Sequence, residues 1–187
     1  MTAPVLLLID FQKGFDEIAA RLRRNNLEAE GRALSLIELW REKGWPLIHV
    51  RHDSVHETSP FRPGYIGNQG MNFTAELPGE PVIRKTVNSA FIGTDLSERL
   101  RALGSPDVIV AGASTDHCVT TSVRNGSDFG FRMTLVADAC FTFDRTSPSG
   151  AVIPAETVHE AHIASLDGEF ARIVSSACIV AEYGAKS

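Results

Sequence analysis

Cys118 lies in the run DVIVAGASTDHCVTT, residues 107–121, just past the point where a buried strand gives way to a helix. Val108 to Ala111 read as the strand, Gly112 to Ser114 as the turn, and Thr115 as the N-cap of the helix that follows. A cysteine in a first helical turn meets unpaired amides and the positive end of the helix dipole. Both favour thiolate and lower the pKa from its free value of about 8.5. The same position also suits a small buried hydrophobe, which is what most cysteines near a strand are. Two other residues change the weighing. Asp10 directly follows the apolar run Val5 to Ile9, and Lys85 stands at the end of a short strand, Pro81 to Arg84. In a parallel sheet all three positions share the carboxyl edge, where open α/β folds place their ligands. Taken singly, a strand-end Asp caps a turn and a strand-end Lys is solvated. Together they form the set that cysteine acyl transfer uses: Lys stabilises a thiolate, Asp takes the thiol proton and later helps water attack, and Cys attacks a carbonyl.

The elements that must position these groups follow from periodicity. Apolar runs at 4–9, 46–50, 81–84, 107–111, 132–136 and 171–174 read as strands, and helical patterns fall at 26–43, 95–103, 115–129 and 155–166, the first stopped by Gly44. This alternation predicts one α/β domain over 1–187, with a doubly wound, six-stranded, mainly parallel sheet flanked by helices in a Rossmann-like three-layer arrangement. The polar stretch 51–79, rich in Gly, Pro and Asn, is expected to be a loop that covers a site. The tail 183–187 is expected to fray.

Composition narrows the partners. A length of 187 residues with 43% hydrophobic content can bury a core without help. The net charge of −5 argues against nucleic acid, and the Arg21–Arg24 cluster reads as the polar face of a helix. The N-terminal apolar run is too short for a signal peptide or a membrane span, so no membrane partner is expected. Cys118, Cys140 and Cys178 form neither a disulfide framework nor a metal motif, which points to a reducing cytoplasm.

Three segments resemble the isochorismatase-like cysteine hydrolase superfamily, which includes nicotinamidases and carbamoylsarcosine amidases. They are LLLIDFQKGF at 6–15, VIRKTVNSAFIGTDL at 82–96 and VIVAGASTDHCVTTSVRNGSDFGFRMTLVADACFT at 108–142. The resemblance implies that Asp10, Lys85 and Cys118 are the catalytic triad. It also implies a cis peptide between Ala113 and Ser114, and an oxyanion hole made by the backbone N–H groups of Ser114 and Cys118. The implied activity is hydrolysis of an amide, ureide or carbamoyl C–N bond of a small molecule through a thioester, without a cofactor, in a dimer or tetramer. Cleavage of isochorismate itself is disfavoured, because the vinyl ether hydrolase of the superfamily lacks the cysteine that stands here at Cys118.

Nicotinamidases bind a metal through Asp-x-His and a further His after the second strand. Here that segment is HVRHDSVHETSPF, with His49, His52 and His56 but no Asp-x-His, so no metal is expected. His49 reads as buried within its strand, and Arg51, His52 and Asp53 as residues that shape or cover the pocket. Gln12, Phe15, Phe61, Asn88 and Phe91 are the candidate pocket residues, with Ser89, Tyr65 and Phe143 nearby. His117 reads as structural, because adjacent helical positions diverge. Cys140 and Cys178 read as buried hydrophobes, and Gly93 and Gly126 as turn or packing glycines. Two other classes stay open. One is a small-metabolite binder or redox-sensing thiol protein on the same fold. The other is a phosphotransfer aspartate at Asp10, which would want a second Asp where Gln12 stands.

Overall fold

β1 (Val5–Ile9) is five consecutive apolar residues with no polar face, a pattern that is stable only where a sheet is covered on both sides. The computed structural model, which describes residues 2–104 and 106–184, places it at the centre of the sheet. β2 (Leu47–His52) and β4 (Val108–Ala113) flank it, and β3 (Val82–Lys85) lies outside β2. On the other side β5 (Met133–Phe141) follows β4. A small antiparallel pair, β6 (Arg145–Thr146) and β7 (Val152–Ile153), stands apart, and β8 (Arg172–Val174) closes the main sheet. All five ladders of that sheet are parallel, in the order β3-β2-β1-β4-β5-β8. This is the doubly wound α/β architecture that the alternation predicts.

Strand alternation divides the core in two. Leu6, Leu8, Ile109 and Ala111 face α2 (Ala29–Lys43) and α6 (Ser176–Gly184). Val5, Leu7, Val108 and Val110 face α3 (Leu96–Ala102), α4 (Thr120–Asp128) and α5 (Ala155–Leu166). In α2 the residues Ala29, Ala33, Leu36, Ile37 and Trp40 recur at helical spacing and are buried, and left-handed Gly44 ends the helix. The helix begins three residues later than predicted, because Asn26 is left-handed and spends its side-chain amide on the carbonyls of Ala137 and Cys140.

β5 runs five residues past its predicted end. Its inner residues Ala137 and Asp138 break the apolar run, and the pairing with β4 shifts register there before resuming at Gly112 and Cys140. α1 (Gly14–Ala19), α6 and the β6–β7 pair escape sequence reading because they are short or lie in segments read as loop and tail. Tyr183, expected to fray, is buried in α6 with its ring edge-on to Trp40 and Trp45, while residues 185–187 of the predicted tail lie outside the described residues. Cys140 is buried as expected, but Cys178 is exposed on α6 because it falls on the outer face of that helix. Gly126 packs where a Cβ would meet Met133 Sδ at 2.6 Å, and Gly93 holds a left-handed turn.

The long loop is pinned by side chains. Glu80 accepts hydrogen bonds from Arg41 of α2 at 2.7 and 2.9 Å, from the Leu77 N–H at 2.9 Å and from His49 Nε2 of β2 at 2.9 Å. Burial works against the Glu80 carboxylate, but Arg41, Leu77 and His49 outweigh it and bring the pKa down to about 2. A folded pKa below the unfolded value of roughly 4.3 gives stability that is present above that value and lost as pH falls toward about 2. Glu80→Gln should therefore lower Tm at neutral pH and flatten the loss of Tm between pH 4 and 2, as read by thermal melts across that range. At the centre of the sheet Gly112 has φ +153°, and a Cβ there would meet Ile9 O at 2.2 Å. Gly112→Ala should destabilise the protein by about 3 kcal/mol in urea unfolding, since backbone rather than a movable side chain must yield.

Candidate active site

Asp10, Lys85 and Cys118 meet at the carboxyl edge, although only two of them come from neighbouring strands. Asp10 follows β1 in a left-handed conformation, φ +53°, which ends the strand and turns the carboxylate over the sheet edge. Lys85 is the last residue of β3, two strands away, so its side chain crosses the end of β2 to arrive. Its Nζ lies 2.7 Å from Asp10 Oδ2, 3.2 Å from Cys118 Sγ, 3.2 Å from the Val87 carbonyl and 3.4 Å from His52 Nδ1. The Lys85 side chain has no solvent exposure and that of Asp10 only 2%. Charges this buried are stable only as a pair.

Cys118 sits in a π-helical turn, Thr115–Val119, that precedes α4. Thr115 is not the N-cap expected of it: fully buried, it places Oγ1 2.9 Å from His159 Nδ1 on α5, and Ser114 takes the capping position without a side-chain bond. The expected lowering of the thiol pKa is also corrected. Burial and the Asp10 carboxylate push the Cys118 thiol up, with Lys85 opposing them. Burial likewise disfavours the Lys85 ammonium, but Asp10 and Cys118 more than offset it and leave Lys85 above its ordinary value.

The π-turn is tied to the end of β5. Asp116 accepts hydrogen bonds from Thr142 Oγ1 and from Arg145, whose Nε and Nη2 stand at 2.7 and 3.0 Å. Burial disfavours the Asp116 carboxylate, yet Arg145 and Thr142 bring its pKa to about 2. The peptide between Ala113 and Ser114, at the start of the turn, is cis.

A cavity of about 250 Å3 opens over Cys118, a size suited to a small molecule. Phe15, Phe61 and Asn88 line it as expected, with Ser114 and Cys118 at its floor. Phe15 packs against Phe61 with centroids 4.8 Å apart and stacks on Phe143 at 5.9 Å, making an aromatic wall. Gln12 and Phe91 do not line it. Gln12 is fully buried, and its amide holds the His52 backbone from both sides, donating to His52 O at 3.0 Å and accepting from His52 N at 2.7 Å. Phe91 packs with Phe129 and Phe131 in the opposite core. Ser89 is buried and accepts from the Phe91 N–H, and Tyr65 lies under the Arg62 guanidinium.

His117, read as structural, lines the cavity beside Cys118, because the wide π-turn replaces the α-helical spacing that would part them. Arg145 also lines it and was missed; a basic residue just beyond a strand at the carboxyl edge was the available signal, hidden by ending β5 five residues early. Of the residues read as shaping the pocket, His52 lines it, while Arg51 of β2 binds Glu76 of the covering loop and Asp53 of that loop binds Arg84 of β3. His49 is taken up by Glu80 and His56 is exposed. Among the described residues no three His, Cys, Asp or Glu side chains come together in a way that could hold a metal ion. Nor is any described helix long and apolar enough to cross a membrane.

This architecture has relatives. The chain is similar to a crystal structure of a putative hydrolase of the isochorismatase family from Chromobacterium violaceum, with a TM-score of 0.94, 44% identity and coverage of 98% of this chain and 95% of that one. It is 35% identical to the isochorismatase family protein YrdC of Bacillus subtilis, over 95% of both chains. It is 29% identical to maleamate amidohydrolase of Pseudomonas putida, over 92% of this chain and 83% of that protein. The isochorismatase domain model matches residues 4–178, and the chain is accordingly a hydrolase of the isochorismatase family.

Proposed function

We propose that this chain is a cysteine amidohydrolase that cleaves a C–N bond of a small amide or ureide through a thioester on Cys118. The observation that carries this reading is the buried Lys85 ammonium, 2.7 Å from Asp10 and 3.2 Å from Cys118 beneath the cavity. The similarity to maleamate amidohydrolase supports an amide as the bond attacked.

Asp10 takes the Cys118 proton as the sulfur forms its bond to the substrate carbonyl carbon. Lys85 compensates the negative charge while the proton moves, and the backbone N–H groups of Ser114 and Cys118 hold the oxyanion. The carbonyl re-forms as the C–N bond breaks, and the proton on Asp10 leaves with the nitrogen. Water then gives a proton to Asp10 and its oxygen to the thioester carbon, the C–S bond breaks, and the sulfur recovers its proton.

A panel of small amides, ureides and carbamoyl compounds, including acids for which Arg145 offers a charge partner, should reveal one that releases ammonia or an amine. On that substrate Cys118→Ala should lose activity by about 10⁴-fold or more, and Asp10→Asn by about 10³-fold. An alanine variant that keeps full activity would sink the proposal. Lys85→Met should lose about 3–5 kcal/mol of stability in urea unfolding, because Asp10 is left as an uncompensated buried charge. Dialysis against a chelator should leave turnover unchanged; a large loss that added zinc restores would contradict metal-free chemistry.

A further inference from the structure

β2 separates the two strands that carry Asp10 and Lys85, and His52 is the β2 residue in register with Lys85. The lysine side chain must pass it to reach the site. Lys85 Nζ ends 3.4 Å from His52 Nδ1. An ammonium has no lone pair, so a bond between the two runs from Nζ to an unprotonated Nδ1 and leaves the ring proton on Nε2. The ring is not loose. Gln12 binds both backbone groups of His52, Asn68 Nδ2 donates to its carbonyl at 3.0 Å, and Phe61 meets the ring edge-on with centroids 6.3 Å apart.

The charged groups that act on the ring are Lys85, Asp10 and Asp53, the last neutralised by Arg84. Burial and then Lys85 lower the His52 pKa against the two carboxylates and a hydrogen bond from the ring to the Val87 carbonyl, so the neutral ring persists into mildly acidic solution. Protonation would turn an acceptor of the Lys85 hydrogen bond into a second cation beside it.

We propose that His52 is a positioning residue of the site: its Nδ1 receives the Lys85 ammonium as it crosses β2 and aims it between Asp10 and Cys118. The triad would then be a relay of four side chains, with Gln12 holding the fourth in place. The effect on turnover rests on the hydrolase reading above, but the effect on Cys118 does not.

Two measurements test this. Ring ¹⁵N shifts of the intact protein at neutral pH should show His52 as the Nε2–H tautomer; the Nδ1–H tautomer would overturn the proposal. The pH dependence of Cys118 alkylation by iodoacetamide, which needs no substrate, is then compared in His52→Leu and His52→Asn. The leucine variant should be alkylated about 10-fold more slowly at a given pH, because Lys85 no longer points at the sulfur. The asparagine variant, whose side-chain oxygen can stand in for Nδ1, should stay within about 2-fold of the parent. On an amide substrate His52→Leu should lower kcat by about 10²-fold with KM little changed. A parental alkylation profile in the leucine variant, or equal shifts in both variants, would overturn the proposal. Shifts as described in a protein that hydrolyses no amide would sustain the positioning role and sink the hydrolase reading instead.

Discussion

The Lys85 ammonium and the Asp10 carboxylate, 2.7 Å apart with almost no solvent on either, set the terms for the rest of the molecule. Two charges taken out of water cost several kcal/mol each, and only tight, oriented pairing offsets that. The sheet supplies the orientation. β1 cannot drift, because its five apolar residues are locked between β2 and β4 in parallel register. Asp10 cannot turn back, because its left-handed backbone is held by hydrogen bonds from its N–H to Val50 and from Gln12 N–H to its carbonyl. Lys85 must arrive across β2, so the end of that strand is part of the site rather than only its support.

The same pair acts on the thiol beside it. A helix start lowers a thiol, but burial and the facing carboxylate push Cys118 up against the pull of Lys85. From the other side Asp116, Arg145 and Thr142 tie the π-turn that carries the sulfur to the segment after β5.

Most of the fold was legible in the chain, because buried parallel strands read as unbroken apolar runs and Gly44 marks a helix end in plain view. The meeting of Asp10, Lys85 and Cys118 was legible for a related reason: strand ends point to one edge whatever the loops do. What escaped was geometry that depends on partners far apart in sequence. Gln12 looks like a pocket residue until the His52 backbone claims its amide. Thr115 looks like a cap until His159, more than forty residues on, takes its hydroxyl. Arg145 and the second half of β5 were hidden by Ala137 and Asp138, whose partial exposure at a register shift mimics a strand end. His117 was misplaced because a π-turn cannot be told from an α-turn by residue type.

The covalent step is the centre of the account, and mass spectrometry of acid-quenched enzyme tests it most directly. Mixed with a slowly turned-over amide and stopped within the first turnover, the protein should gain the mass of the substrate's acyl group on the peptide that contains Cys118. That mass should disappear under hydroxylamine. Steady hydrolysis with no acyl mass on Cys118 at any quench time, or an adduct on another residue, would contradict it.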